Sequence, residues 1–174
     1  MYQVRDDVVL EINTAPRPDP GAPLPAVVSD ERHLLLAYIV EVPDPSWNGT
    51  SVSVVSPDSP DKAIAIVGFQ NEVCHLFGPP NDEALAGHPL AARGLRPYTV
   101  NEVAKSSWIQ SLERMNAVHP RHRPGYLESC RHYIFAFHDS TFECVAEGFT
   151  VQMHHGSMRS AVSLMVAWLG DDAA

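Results

Sequence analysis

The sequence has little of what would place it quickly. It holds three cysteines, Cys74, Cys130 and Cys144, an odd number with no C-x-x-C pair. That argues against a disulfide framework and suits reduced thiols in a cytosol. Basic residues are few: twelve Lys and Arg face twenty-one Asp and Glu, a net charge of -9. A non-specific binder of phosphate backbones needs the opposite balance, so nucleic acid is not an expected partner. The most apolar runs, Leu34 to Val40 and Ala63 to Phe69, fall far short of the ~20 residues that cross a bilayer as a helix, so no membrane is expected. The start, Met1-Tyr2-Gln3-Val4-Arg5-Asp6-Asp7, lacks a basic stretch followed by an apolar one and reads as no signal peptide. A cytoplasmic protein is the expectation, which makes the sequon Asn48-Gly49-Thr50 a chance match. No internal repeat is visible.

What is there is enough for a core. Of 174 residues, 45% are apolar and 19% charged, a balance that excludes a disordered chain and is large enough to fold without staples. Histidine is the unusual entry, with nine against six Phe and five Tyr. Full protonation would cancel the -9, so solubility and self-association should depend on pH between about 5 and 7, and a homo-oligomer stays open.

Residues 1–26 read as an N-terminal strand, Val8 to Ile12, followed by a Pro-rich arm, and residues 27–174 as a single α+β domain. The arm carries five prolines between Pro16 and Pro25, which remove amide donors and favour an extended segment outside any ladder. Leu34 to Val42 is apolar on both faces, as in a central strand. Thr50 to Ser56 alternates as a half-buried strand. Ala63 to Gln70 and Val73 to Phe77 read as two more strands, joined by Asn71-Glu72 as a hairpin turn. Thr99 with Glu102 makes a capping box, and Val100, Val103, Ala104, Trp108, Leu112 and Met115 recur at helical spacing, predicting a helix over 99–116. Arg131 to His138 and Thr141 to Ala146 predict a hairpin about Asp139-Ser140. Ser157 as N-cap opens a helix that runs to Leu169, with a strand as the alternative because Val162, Leu164, Val166 and Trp168 also alternate. The fold class is then α+β: a curved, mostly antiparallel sheet with one long helix near 99–116 and a C-terminal helix.

The phrase Phe135-Ala136-Phe137-His138-Asp139-Ser140-Thr141-Phe142-Glu143-Cys144, with the segment Gly78 to Leu85, resembles a family of uncharacterised bacterial proteins. The resemblance covers the middle and C-terminal half and implies no activity.

Chemistry is argued from the hairpin. With Asp139-Ser140 as the turn, His138 lies opposite Thr141 and shares a face with Glu143, so an imidazole and a carboxylate meet as a diagonal pair. Such a pair suits general acid/base work, with Asp139 beside it. The 78–97 segment has no sustained period, and aperiodic segments of that length tend to cover sites. Asn81, Asp82, Glu83 and His88 are therefore candidate ligand contacts, with His75 and Thr141 near the same face, while Leu85, Leu90 and Leu95 tether the loop. No H-x-H, H-E-x-x-H or C-x-x-C spacing supports a metal, and no motif names a cofactor. Cys144 falls on the face opposite Glu143 and reads as a buried small hydrophobe. Arg114, His119, Arg121, His122, Arg123, Arg131 and His132 form a basic stretch suited to an anionic ligand or to pairing with surplus surface acids. The expected function is small-molecule binding in a sheet-lined pocket with His/Glu acid-base chemistry. The alternative is a non-catalytic assembly module.

Overall fold

The structure, a computed structural model, describes residues 2–43, 50 and 54–169. Among these the chain forms β1 (Val8–Glu11), β2 (Ala26–Ser29), β3 (Leu34–Ile39), β4 (Lys62–Gln70), β5 (Cys74–Gly78), β6 (Val100–Ala104), α1 (Ser107–Asn116), β7 (Arg131–Ala136), β8 (Thr141–Ala146), β9 (Gly148–Gly156) and α2 (Met158–Trp168). The class is α+β, but the strands form two antiparallel sheets rather than one. The first has the order β1-β6-β7-β8-β5 and the second β2-β3-β4-β9.

The sheets pack face to face over an aromatic interior. Leu34, Leu36, Tyr38 and Val40 from one side meet Tyr133, Phe135, Phe137, Phe142 and Cys144 from the other. The alternate residues of β3, Leu35, Ala37 and Ile39, face outward and are covered by Met158, Ala161 and Met165 of α2. Both faces of β3 are thus buried, which is why it reads as a continuous apolar run. On the outer face of the five-stranded sheet, Val103, Ile134 and Val145 lie under Trp108 of α1, Tyr2 and the leucines of the 78–97 segment.

Two strands cross between the sheets, and this corrects the expected hairpin at Asn71-Glu72. β4 and β5 do not pair with each other; β4 pairs with β3 and β9, and β5 with β8. Val73 N donates to Val145 O (2.8 Å) and Glu147 N to Gln70 O (2.9 Å), so the ladder turns a corner unbroken. The register gains a residue there, from Gln70 opposite Gly148 to Cys74 opposite Val145. The extra residue is on the β4–β5 side, and across the corner Ala146 and Phe149 both face the interior although they are three positions apart.

Residues 100–104 are a strand, not the first turn of a helix. β-branched Val100 and Val103 pack on the two faces of a sheet in which β6 lies between β1 and β7, and that pairing overrides the helical spacing. Lys105, in the left-handed region at φ 55°, then turns the chain, and the helix starts at Ser107. Its cap is Ser106, whose Oγ accepts from Ile109 N (3.2 Å). Asp7 adds a second cap from outside, accepting from Ser107 N (2.7 Å) and Ser107 Oγ (2.5 Å). Burial raises the Asp7 carboxyl, but the bonds from Ser107 and Arg5 outweigh it and hold the group below its ordinary value. Thr99 instead donates to Arg96 O (2.7 Å) and accepts from Asn101 Nδ2 (2.8 Å). Ser106→Ala should therefore cost about 1–2 kcal/mol as a lost cap, read from chemical denaturation. Finding Ser106→Ala neutral would contradict the assignment.

The C-terminal helix is capped as expected: Ser157 Oγ accepts from Ser160 N (3.1 Å) and Ser160 Oγ accepts from Ser157 N (3.1 Å). The Pro-rich arm forms no strand of its own. A single bridge joins Pro18 to Val40, and Asp19 N donates to Ile39 O (3.0 Å), so the arm lies along the end of β3 beyond β2. Of the strand expected over Thr50 to Ser56, residues 51–53 lie outside the described residues, and residues 50 and 54–56 are not strand; Asn48 and Gly49 of the sequon also lie outside the described residues.

Candidate functional site

The β7–β8 hairpin places the polar groups, and its register differs from the expected one. Phe135 opposes Phe142 and Ile134 opposes Glu143. Phe137 N donates to Ser140 O (2.9 Å), leaving His138 and Asp139 at the tip. The shift is two residues, so the alternation survives: Glu143 still faces away from Cys144. What changes is the partner. His138 no longer lies opposite Thr141, and the expected His138–Glu143 pair does not form.

Glu143 is instead buried under the 78–97 segment among donors from three distant places. His88 Nε2 lies 2.9 Å from its Oε1, His132 Nε2 lies 2.9 Å from its Oε2, and Tyr2 Oη donates to Oε2 at 2.7 Å. The imidazoles are themselves oriented. Leu90 N donates to His88 Nδ1 (3.1 Å), so that ring carries its proton on Nε2 and donates to the carboxylate. His132 Nδ1 meets Ser106 Oγ at 3.0 Å, and the Ser106 hydroxyl, already accepting from Ile109 N, has its proton free to donate there. Burial pushes the Glu143 carboxyl up, but the bonds from His132 and His88, the charge of His132 and the Tyr2 bond outweigh it and hold the group at about 2. The same closeness, after burial, raises the Tyr2 phenol. The ring nitrogens aim at carboxylate oxygens, not at a shared point, and among the described residues no set of His, Cys, Asp and Glu is arranged to hold a metal ion.

His138 finds a different carboxylate. Asp82 Oδ2 lies 2.9 Å from His138 Nδ1, and Tyr98 Oη donates to the same oxygen while lying 3.1 Å from Nδ1. The backbone locks the pair, because Asp82 N donates to His138 O (2.9 Å). Tyr98 sits in the left-handed region at φ 58°, a conformation that costs a non-glycine residue energy, and its ring stacks on the imidazole with centroids 6.3 Å apart. The Tyr98 bond comes first in lowering the Asp82 carboxyl, against burial, and the His138 bond adds to it. That hydrogen bond, with burial, pushes the Tyr98 phenol up to about 12. The His138 side chain stays 42% exposed. With Nδ1 donating to Asp82, the lone pair of Nε2 is the one left for solvent or a ligand.

The remaining candidates disperse. Asp139 is at the tip, exposed, with Oδ1 3.9 Å from His138 Nε2. Asn81 Oδ1 accepts from Ala84 N (3.0 Å) and shapes the turn that carries Asp82, and Glu83 is exposed beside it. Thr141 Oγ1 donates to Pro80 O (2.9 Å) and pins the loop. His88 belongs to the Glu143 cluster. His75 is on the opposite face from Glu143, opposite Cys144, where it pairs with Glu72 (3.0 Å) and stacks on Phe142. Leu85, Leu90 and Leu95 are buried and anchor the loop. Cys144 is fully buried, and that burial holds its thiol well above the ordinary range. Tyr2, Tyr98 and Ser106 are the members that pattern reasoning did not bring into a site, and His132, read only as part of a basic stretch, belongs with Glu143.

Comparison with known proteins found no match to a family model, to a curated protein or to a solved structure.

Proposed function

We propose that this protein binds a small polar molecule over the His138-Asp139 turn and that His138 transfers a proton there. The carrying observation is the 2.9 Å contact from Asp82 to His138 Nδ1 on a ring that is 42% exposed. A carboxylate on one ring nitrogen fixes the tautomer and raises the basicity of the other, the arrangement general base chemistry uses. Asp82 and Asp139 put carboxylates beside the imidazole, so the ligand is a neutral or cationic one, and an anion would be repelled.

The test is a panel of small alcohols, amines and esters screened by ligand-observed NMR and for turnover against the full chain. His138→Ala should abolish binding or turnover at an unchanged denaturation midpoint. Asp82→Asn should keep the ring in place but lower turnover by about 100-fold or more, since it removes the carboxylate that selects the tautomer. A panel in which no compound shifts the His138 ring signals, or one whose hits bind His138→Ala equally well, would sink this reading.

The assembly alternative has its own observation. Both edge strands of the first sheet expose apolar side chains, Val8 and Leu10 on β1 and Leu76 and Phe77 on β5. An unguarded apolar edge is a template for pairing. Sedimentation of the wild type as a dimer that Phe77→Lys dissociates would favour it.

A further inference from the structure

We propose that a second groove, formed where α1 ends and the following loop folds back, binds a small phosphate ester. It encloses about 410 Å³ and is lined by Asn116, His119, Arg121, His122, Arg123 and Tyr126. It shares no residue with the His138–Asp82 contact and does not depend on it. Its size falls in the range of small-molecule sites, roughly 300–1,000 Å³.

Three observations point to an anion. First, the guanidinium groups of Arg121 and Arg123 have no ion pair or hydrogen bond among the described residues, although the chain carries a net charge of -9. Arg17, Arg131 and Arg159, by contrast, each meet a carboxylate. Among the described residues, then, no carboxylate neutralises these two arginines. Second, the carboxylate that α1 sends to this loop is already engaged: Glu113 accepts from Gly125 N (3.1 Å) and Leu127 N (3.2 Å) and holds His122 Nε2 at 3.1 Å. It braces the loop from behind. Third, His119 Nδ1 accepts from Arg121 N (3.2 Å), which leaves Nε2 carrying the ring proton as a donor.

The groove thus offers donors and no free carboxylate. Two arginine forks match the paired oxygens of a phosphate, which a single ammonium would not. A metal ion is disfavoured by the same two cations. A nucleic-acid polymer is disfavoured by the net charge of -9 that the chain carries. Tyr126, exposed at the edge, presents a ring face to a planar group attached to the phosphate.

Calorimetric titration of the full chain at fixed ionic strength, with inorganic phosphate and with adenosine monophosphate, tests this. Saturable binding of one ligand per chain is expected for both. The double variant Arg121→Gln/Arg123→Gln should weaken both by about tenfold or more, as loss of charge-assisted bonds does, without moving the denaturation midpoint. Tyr126→Ala should weaken the nucleotide and leave inorganic phosphate unchanged. Absence of saturable binding by either ligand, or equal affinities in the double variant, would overturn the proposal. So would flotation with vesicles of anionic phospholipid that the double variant abolishes while the soluble nucleotide fails to bind, because the phosphate would then belong to a lipid headgroup.

Discussion

Replacing Glu143 by Ala is expected to lower the unfolding free energy by about 3–5 kcal/mol, because it leaves buried donors without an acceptor. Three groups converge on this carboxylate, from His88, His132 and Tyr2, and none of them is near water. Glu143→Gln should cost less. One amide oxygen can still accept, and the amide hydrogens can face His132 if that ring moves its proton to Nδ1 and donates to Ser106. His88 cannot make the same change, since its Nδ1 already accepts from Leu90 N. The order Ala, then Gln, then wild type in urea midpoint is the prediction, and equal midpoints for the two variants would contradict it. Acid gives a second reading. Glu143 is held at about 2 against an ordinary value of 4.5. A carboxyl held low in the folded state contributes stability that is complete above its ordinary range and is lost as pH falls from there through about 2. Wild-type stability should therefore fall over that window, and Glu143→Gln should lack that component.

The alternation of the sequence was legible where one face of a strand is buried. Glu143 and Cys144 were read onto opposite faces of β8, and they are there. A shift of two residues in the hairpin keeps that parity, so parity alone could not exclude it. The turn residues misled because Asp139-Ser140 and His138-Asp139 both suit a tip, and the choice is made by packing Phe135 on Phe142. Asn71-Glu72 read as a hairpin because turn chemistry does not say whether the next strand returns to its own sheet or enters another. Val100 to Ala104 read as helix because valines at 100 and 103 fit a helical stripe as well as they fit a strand buried on both sides. The partners of Glu143 lie 11, 55 and 141 residues away. Only the nearest, His132, shares the hairpin, on the same face as Ile134, and the correct register alone would have brought it to Glu143.

Phe135→Ala is expected to lower stability by about 3–5 kcal/mol, the cost of emptying a fully buried aromatic site. Phe135 is at the centre of the sandwich. Its ring lies 5.9 Å from Tyr38, 6.0 Å from Phe69 and Phe142, and 6.1 Å from Phe149, drawing partners from both sheets. Its backbone is fixed between Val100 of β6 and Phe142 of β8, so the neighbours cannot simply close over the gap. For a domain of this size the loss corresponds to a fall of about 10 °C in Tm. Phe77→Ala is the internal comparison. Phe77 is on edge strand β5 with 45% of its surface in water, and its contact with Phe142 is at 6.4 Å. Surface changes of that kind cost about 1 kcal/mol or less. Denaturation of the two variants side by side separates a packed inter-sheet core from a merely apolar one: a Phe135→Ala midpoint no lower than that of Phe77→Ala would mean that the two sheets do not meet through this ring.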